Sequence, residues 1–194
     1  DPYVGIKAAD DYLLYVILSP VGAYYPGGLA PVDIFVESKY VRAVKGGTGH
    51  HKAGANYAIS LLAGEEAAKK GYGQVLWLDG KENKYVEEVG AMNIFFVIDG
   101  EIITPPLGGS ILPGITRDSL ITLARDMGYT VTERPLAIDE LYEASQKGHL
   151  NEVFGAGTAA VVSPVGRLIW GDKEIIAGDG GMGEVTKKLY DTLT

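Results

Sequence analysis

The sequence predicts a mixed α/β fold of the α+β type, in which strands pair mostly as antiparallel hairpins and helices do not alternate strictly with them. Three observations predict it. Short apolar runs rich in β-branched and aromatic residues, at positions 74–79 and 93–98, are bounded by turn residues. Residues 115–127 carry Leu120, Ile121, Leu123, Ala124 and Met127 on one helical face and stop at Gly128. The dipeptide Asp99-Gly100 separates two strand-like runs, a strong signal for a two-residue hairpin.

Taken in order, the apolar run at 12–18 reads as a buried strand ending at Ser19-Pro20. It is too short to span a bilayer, and the first residues, Asp1-Pro2-Tyr3, carry no basic lead, so it is not read as a signal peptide. A chain that enters a core strand so early reads as part of something longer. Residues 22–31 form a loop of glycine, proline and tyrosine, and residues 32–36 a strand. A linker runs to Gly49. Asn56 is placed as the cap of one helix that continues through Leu61, Leu62, Ala63 and Ala67 to Lys70, with Gly71 as its stop. Strands at 74–79 and 84–89 form an antiparallel pair, and the hairpin 93–98/101–104 closes at Pro105-Pro106. After the helix that begins near Ile115 and Thr116 come a strand at 129–133, a short helix capped by Asp139, and a strand, tight turn and strand within 153–162. A glycine-rich loop at 178–183 leads to a terminal helix with Val185 and Leu189 on one side.

Composition narrows the function. A chain of 194 residues, 46% hydrophobic, is long enough for one large domain with a real core. The absence of cysteine excludes disulfides, cysteine metal sites and a thiol nucleophile, and leaves the cytoplasm as the default location. A net charge of -8 argues against a nucleic-acid face, which needs clustered Lys and Arg. Any phosphate must therefore be held locally.

Lys52 emerges from small residues, Gly46, Gly47, Thr48 and Gly49 before it and Ala53 and Gly54 after it, just ahead of a helix. Such a setting suits an amine that reaches into a closed site, although a lysine before a helix is more often a solvated charge. The helix start at Ile115-Thr116 offers unpaired N–H groups and a hydroxyl to a phosphate, and Thr158 could add a bond after its glycine turn. The plain alternatives are a helix cap at Thr116 and simple bends at Gly155 and Gly157. Neither segment has the pattern of a P-loop or a dinucleotide-binding turn. Glu87 and Glu88 are neighbours on a strand, so one faces inward and needs a cationic or donor partner, unless a bend exposes both. His50 and His51 are not read as a metal pair, since neighbours in an extended segment diverge.

Together these residues carry a resemblance. Lys52-Ala53-Gly54-Ala55-Asn56-Tyr57, the run 74–79, Glu88-Val89-Gly90-Ala91-Met92-Asn93, Leu112-Pro113-Gly114-Ile115-Thr116-Arg117 and the run 154–160 match, in order and spacing, the branched-chain amino acid aminotransferases. The similarity extends to the segment 40–47 and implies the fold type IV class of pyridoxal phosphate enzymes. It implies that residues 1–45 end an N-terminal domain and its linker, and that residues 46–194 form the cofactor-binding C-terminal domain. By the same resemblance Lys52 is the Schiff-base lysine and proton carrier, Tyr57 contacts the ring oxygen, and Glu88 pairs with the pyridine nitrogen. Leu112 packs on the ring, Ile115, Thr116 and Thr158 bind the phosphate, and the amides of Ala159 and Ala160 take the substrate carboxylate. The implied reaction is a ping-pong transfer from leucine, isoleucine or valine to 2-oxoglutarate in a homodimer, with no nucleic-acid or membrane partner and with this piece weak or inactive alone. A D-amino acid aminotransferase, an aminodeoxychorismate lyase or a folded half that only binds a partner remain open. One departure is Ala55, where the family usually has glycine; a positive φ there would cost alanine about 1 kcal/mol.

Overall fold

The computed structural model describes residues 4–20, 22, 24, 25 and 27–194; Ala23 and Pro26 of the expected loop lie outside them. In chain order the elements are β1 (Val32–Glu37), α1 (Gly54–Ala58), α2 (Leu61–Lys69), β2 (Gln74–Leu78), β3 (Val86–Val89), β4 (Met92–Ile98) and β5 (Glu101–Thr104). Then follow α3 (Ile115–Asp126), β6 (Val131–Glu133), α4 (Ile138–Gln146), β7 (Leu150–Gly157), β8 (Val161–Trp170), β9 (Lys173–Ile176) and α5 (Glu184–Leu193). The strands form one sheet in the order β3-β2-β1-β8-β7-β4-β5-β6, with β9 on β8. Because β3 also pairs with β4, through Glu88 opposite Asn93 and Val89 opposite Met92, the sheet closes on itself as a barrel of β3, β2, β1, β8, β7 and β4.

Side-chain alternation explains why these strands read as continuous apolar runs. Ile34, Val36, Leu76, Leu78, Ile94 and Phe96 share one core cluster, whereas their neighbours pack elsewhere: Phe95 and Val97 against Leu120, Ile121 and Ala124 of α3 and Leu189 of α5, and Val75 and Trp77 against Ala63 and Ala67 of α2. Both faces are covered, so both parities are apolar. The fold is mixed α+β, and most pairings are antiparallel, but β1 runs parallel to both β2 and β8 and β5 runs parallel to β6. The first of these puts β1, expected at the end of a preceding domain, between two strands of the barrel.

The hairpin forms as the dipeptide signals: Asp99 and Gly100 have φ of 49° and 81°, and Val97 and Ile98 pair with Ile102 and Glu101. β2 and β3 pair antiparallel as expected. Residues 12–18, in contrast, form no strand, and Leu14 and Leu18 are more than nine-tenths exposed. Among the described residues no strand lies beside them, and a lone strand leaves its backbone groups unpaired. The single helix expected over 56–70 is two, broken at Ile59 and Ser60, and only Ala63 and Ala67 of α2 are buried, while Leu61 and Leu62 are exposed. The cap of α4 is Ala137, which places Asp139 in its first turn, where a carboxylate still favours the helix dipole. Gly155 and Gly157 belong to β7, so the tight turn is confined to 158–160. Ala55 lies inside α1 and is not among the residues of positive φ, so alanine meets no backbone penalty there.

The start of α5 is capped from a distance. Glu152 on β7, 8% exposed, accepts bonds from the N–H groups of Val185 (2.9 Å) and Thr186 (2.8 Å) and from the Thr186 hydroxyl (2.6 Å). A Cβ on Gly183 would lie 1.9 Å from Glu152 Cδ, so glycine is required for the helix end to approach this carboxylate. Removing the carboxylate strands two buried donors and one half-buried donor and leaves the helix dipole unmet. Urea unfolding of Glu152→Ala in the intact protein should show a loss of about 2–3 kcal/mol; a loss under about 0.5 kcal/mol would show that the cap is dispensable.

Candidate active site

The loop to Lys52 is held by Asn56. Its Nδ2 donates to the carbonyls of Thr48 (2.7 Å) and His51 (2.8 Å), and its Oδ1 accepts from the Thr48 hydroxyl (2.7 Å). Asn56 is thus buried inside α1 as the anchor of the loop, and the cap position falls to Ala53. The loop is a chain of turns, so His50 and His51 do not diverge: their rings lie 3.8 Å apart, and His50 Nδ1 is 3.0 Å from the Gly109 carbonyl. Among the described residues no group of three or more His, Asp or Glu is arranged to hold a metal.

Lys52 is exposed, with Nζ 5.6 Å from the centre of the Tyr57 ring. Both line a cavity of about 620 Å³ whose far wall is Gly157, Thr158, Ala159 and Ala160, with Ala91 and Met92 beside them. Thr158 also lines a second cavity of about 230 Å³, together with Ile115, Thr116 and Ser119. Five of the expected residues therefore share one cavity, and the expected anion ligands share the next, with Thr158 common to both. At the start of α3 Gly114 occupies the cap position and no side chain caps it, so the leading N–H groups of Ile115 and Thr116 lack helical acceptors. Thr116 itself is not the cap.

Glu88 and Leu112 meet directly. Glu88, 2% exposed, accepts from the Leu112 N–H at 2.9 Å and from Asn93 Nδ2 at 3.3 Å, both on Oε1. Asn93 also donates to the Leu112 carbonyl at 2.9 Å, and a Cβ on Gly114 would lie 2.2 Å from Asn93 Oδ1. Gly114 therefore lets the α3 loop close over Asn93. The other oxygen, Oε2, is 2.7 Å from Nε of Arg42, an ion pair with side chains 7% and 3% exposed. Sequence reasoning gave Arg42 and Asn93 no role beyond their places in matching segments; the signal for Arg42 was its place in the segment 40–47, otherwise read as a linker. Glu87 points the other way, toward the Ser110 hydroxyl, which donates to it, in a cleft of about 640 Å³ that also holds Tyr85, Pro105 and Pro106.

Burial pushes the Glu88 carboxyl from its ordinary 4.5 to about 7, opposed by Arg42 and the Leu112 N–H, with Glu87 raising it and Lys52 lowering it. Burial likewise raises Glu87. Since folded Glu88 binds its proton at a pH where the unfolded chain has lost it, the native state holds more protons between about 4.5 and about 7. Its contribution to stability therefore falls as pH rises through that window, by at most about 3 kcal/mol. Urea unfolding across this range should show a shallower decline for Glu88→Gln than for the wild type; parallel curves would contradict the burial argument.

Comparison with known proteins matches residues 7–168 to the family described as amino-transferase class IV. Among curated relatives, the chain is 58% identical over its whole length to branched-chain-amino-acid aminotransferase 2 of Bacillus subtilis, covering 53% of that protein. It is 59% identical over 98% of its length to a probable branched-chain-amino-acid aminotransferase of Staphylococcus aureus, covering 54% of it. Among solved structures, the branched-chain amino acid aminotransferase of Escherichia coli superposes with a TM-score of 0.77 at 40% identity, over 90% of this chain and 54% of that one. A branched-chain amino acid aminotransferase from T.th., complexed with N-(5'-phosphopyridoxyl)-L-glutamate, gives a TM-score of 0.72 at 36% identity, over 84% of this chain and 50% of that one. The chain thus spans about half the length of the relatives it matches. With a family match over most of its residues and a superposable barrel, the chain belongs to the class IV aminotransferases.

Proposed function

We propose that the protein carrying this chain transaminates branched-chain amino acids with pyridoxal phosphate, passing the amino group to 2-oxoglutarate in a ping-pong cycle. The observation that carries the reading is the shared cavity, in which the Lys52 amine, the Tyr57 ring and the 157–160 turn face one space. Relatives more than half identical to the chain bear the name of that activity, and a similar structure holds a phosphopyridoxyl-glutamate adduct.

The residues fit such a cofactor. Lys52 is the covalent attachment point and, once freed, the base that carries the proton; it must be neutral when it does so. When bound, the cofactor supplies an electron sink for the substrate carbanion. Glu88 keeps a lone pair on Oε2 after meeting Arg42, because an ionised carboxylate offers about four acceptor positions and three are used. It is the partner for a protonated ring nitrogen. Leu112, tied to Glu88, packs against the ring, and Tyr57 meets the ring oxygen. The uncapped N–H groups of Ile115 and Thr116, with Thr158, hold the phosphate, as the helix dipole favours. The amides of Ala159 and Ala160 take the substrate carboxylate.

The exposed apolar segment 12–18 and the exposed Ile59, Leu61 and Leu62 support a larger assembly, in which a further domain and a second subunit cover them. We assign residues 1–45 to the end of that further domain and its linker, with β1 integrated in the barrel.

Borohydride reduction of the intact protein with pyridoxal phosphate, followed by peptide mass mapping, should place the adduct on Lys52. Lys52→Ala should lose the adduct and at least about 10²–10⁴-fold in kcat. An adduct elsewhere, or a Lys52→Ala variant labelled equally, would refute the reading; so would the absence of transfer from leucine, isoleucine and valine.

A further inference from the structure

We propose that Arg42 is a positioning residue for the acid of this site: its guanidinium fixes the Glu88 carboxylate in place and favours its ionised form while locking two loops to that same point. The catalytic meaning of this rests on the proposed role of Glu88; the electrostatic claim does not.

Three nitrogens of one buried side chain serve three segments. Nε meets Glu88 Oε2 on β3 at 2.7 Å. Nη1 donates to the Ser110 carbonyl at 2.8 Å, two residues before Leu112, whose N–H binds the same carboxylate. Nη2 donates to the Gly49 carbonyl at 3.4 Å, in the turn that leads to Lys52. Gly49 is required for that approach, since a Cβ there would lie 2.2 Å from the Ser110 oxygen. The loop that presents the amine and the loop that presents the α3 terminus are thus pressed together, with Arg42 between them and Glu88. A lysine has no planar fork and could hold only part of this set.

The charge is needed as much as the fork. Glu88 is buried, and the groups that act on it are Arg42, Glu87, Lys52, Asn93 and the Leu112 N–H. Glu87 opposes its ionisation, Asn93 and Leu112 carry no charge, and Lys52 is the group that the proposed chemistry removes from play. Arg42 is the charge in direct contact, so it sets whether Glu88 can act as an anion toward a ring nitrogen.

The test is the titration of Glu88 in the cofactor-free intact protein, read by carbon NMR of labelled glutamate and assigned by loss of the signal in Glu88→Gln. Wild type should titrate near 7. Arg42→Met should move the midpoint upward by at least about one pH unit, a tenfold weaker acid, and Arg42→Lys should recover most of the shift. Should Arg42→Met fail to fold, Arg42→Gln, which keeps donors without charge, carries the same expectation. A folded Met or Gln variant whose Glu88 midpoint stays at the wild-type value overturns the proposal, since a merely structural arginine would leave it there. Trapping at Lys52 reports separately: a midpoint shift without trapping upholds Arg42 and sinks the cofactor reading, and trapping without a shift does the reverse.

Discussion

A carboxylate taken almost wholly out of water governs this structure. An ionised Glu88 in a barrel seam is costly unless every lone pair but one is met, and the fold meets them from three directions: Arg42 from the segment after β1, Asn93 across the β3–β4 pair, and the Leu112 N–H from the loop before α3. Each donor arrives from a different part of the sequence. Satisfying the carboxylate therefore fixes the relative positions of the Lys52 loop, the barrel seam and the α3 start. The same bonds that keep Glu88 soluble in the protein interior align the parts of the site.

Around that point the rest of the barrel is ordinary packing. Alternate residues of β1, β2 and β4 fill the interior, and the other parity meets α2, α3 and α5, so neither face can shift without moving the other. Small residues appear where a carboxamide, a backbone or a thioether side chain must come close: Gly114 over Asn93, Gly49 against Ser110, and Gly155 against Met92. These glycines belong to the geometry of the site rather than to flexible linkers. The cavity with Lys52 and Tyr57 and the smaller one with Ile115 and Thr116 meet at Thr158.

Much of this was legible from local signals. The β4–β5 hairpin, α3 with its apolar stripe and its stop at Gly128, and the β2–β3 pair all follow from patterns a few residues long. The inward turn of one glutamate followed from strand alternation. What escaped were relations between distant residues. Arg42 lies in a segment without helix or strand and matters only because Glu88, 46 positions on, points at it; nothing nearby in the sequence signals that. Asn56 looks like a cap because asparagine often is one, yet its donors and acceptor all turn back to the 48–51 loop. The run at 12–18 has strand composition, but composition cannot supply a neighbouring strand.

The central claim is that Glu88, held by Arg42, faces the ring nitrogen of a cofactor anchored at Lys52. A crystal structure of the intact protein with pyridoxal phosphate bound tests it most directly. The ring nitrogen should lie within hydrogen-bond reach of Glu88 Oε2, with the phosphate at the start of α3 beside Thr158. A ring turned so that its nitrogen meets solvent or another side chain, with Glu88 paired to Arg42 alone, would contradict the account.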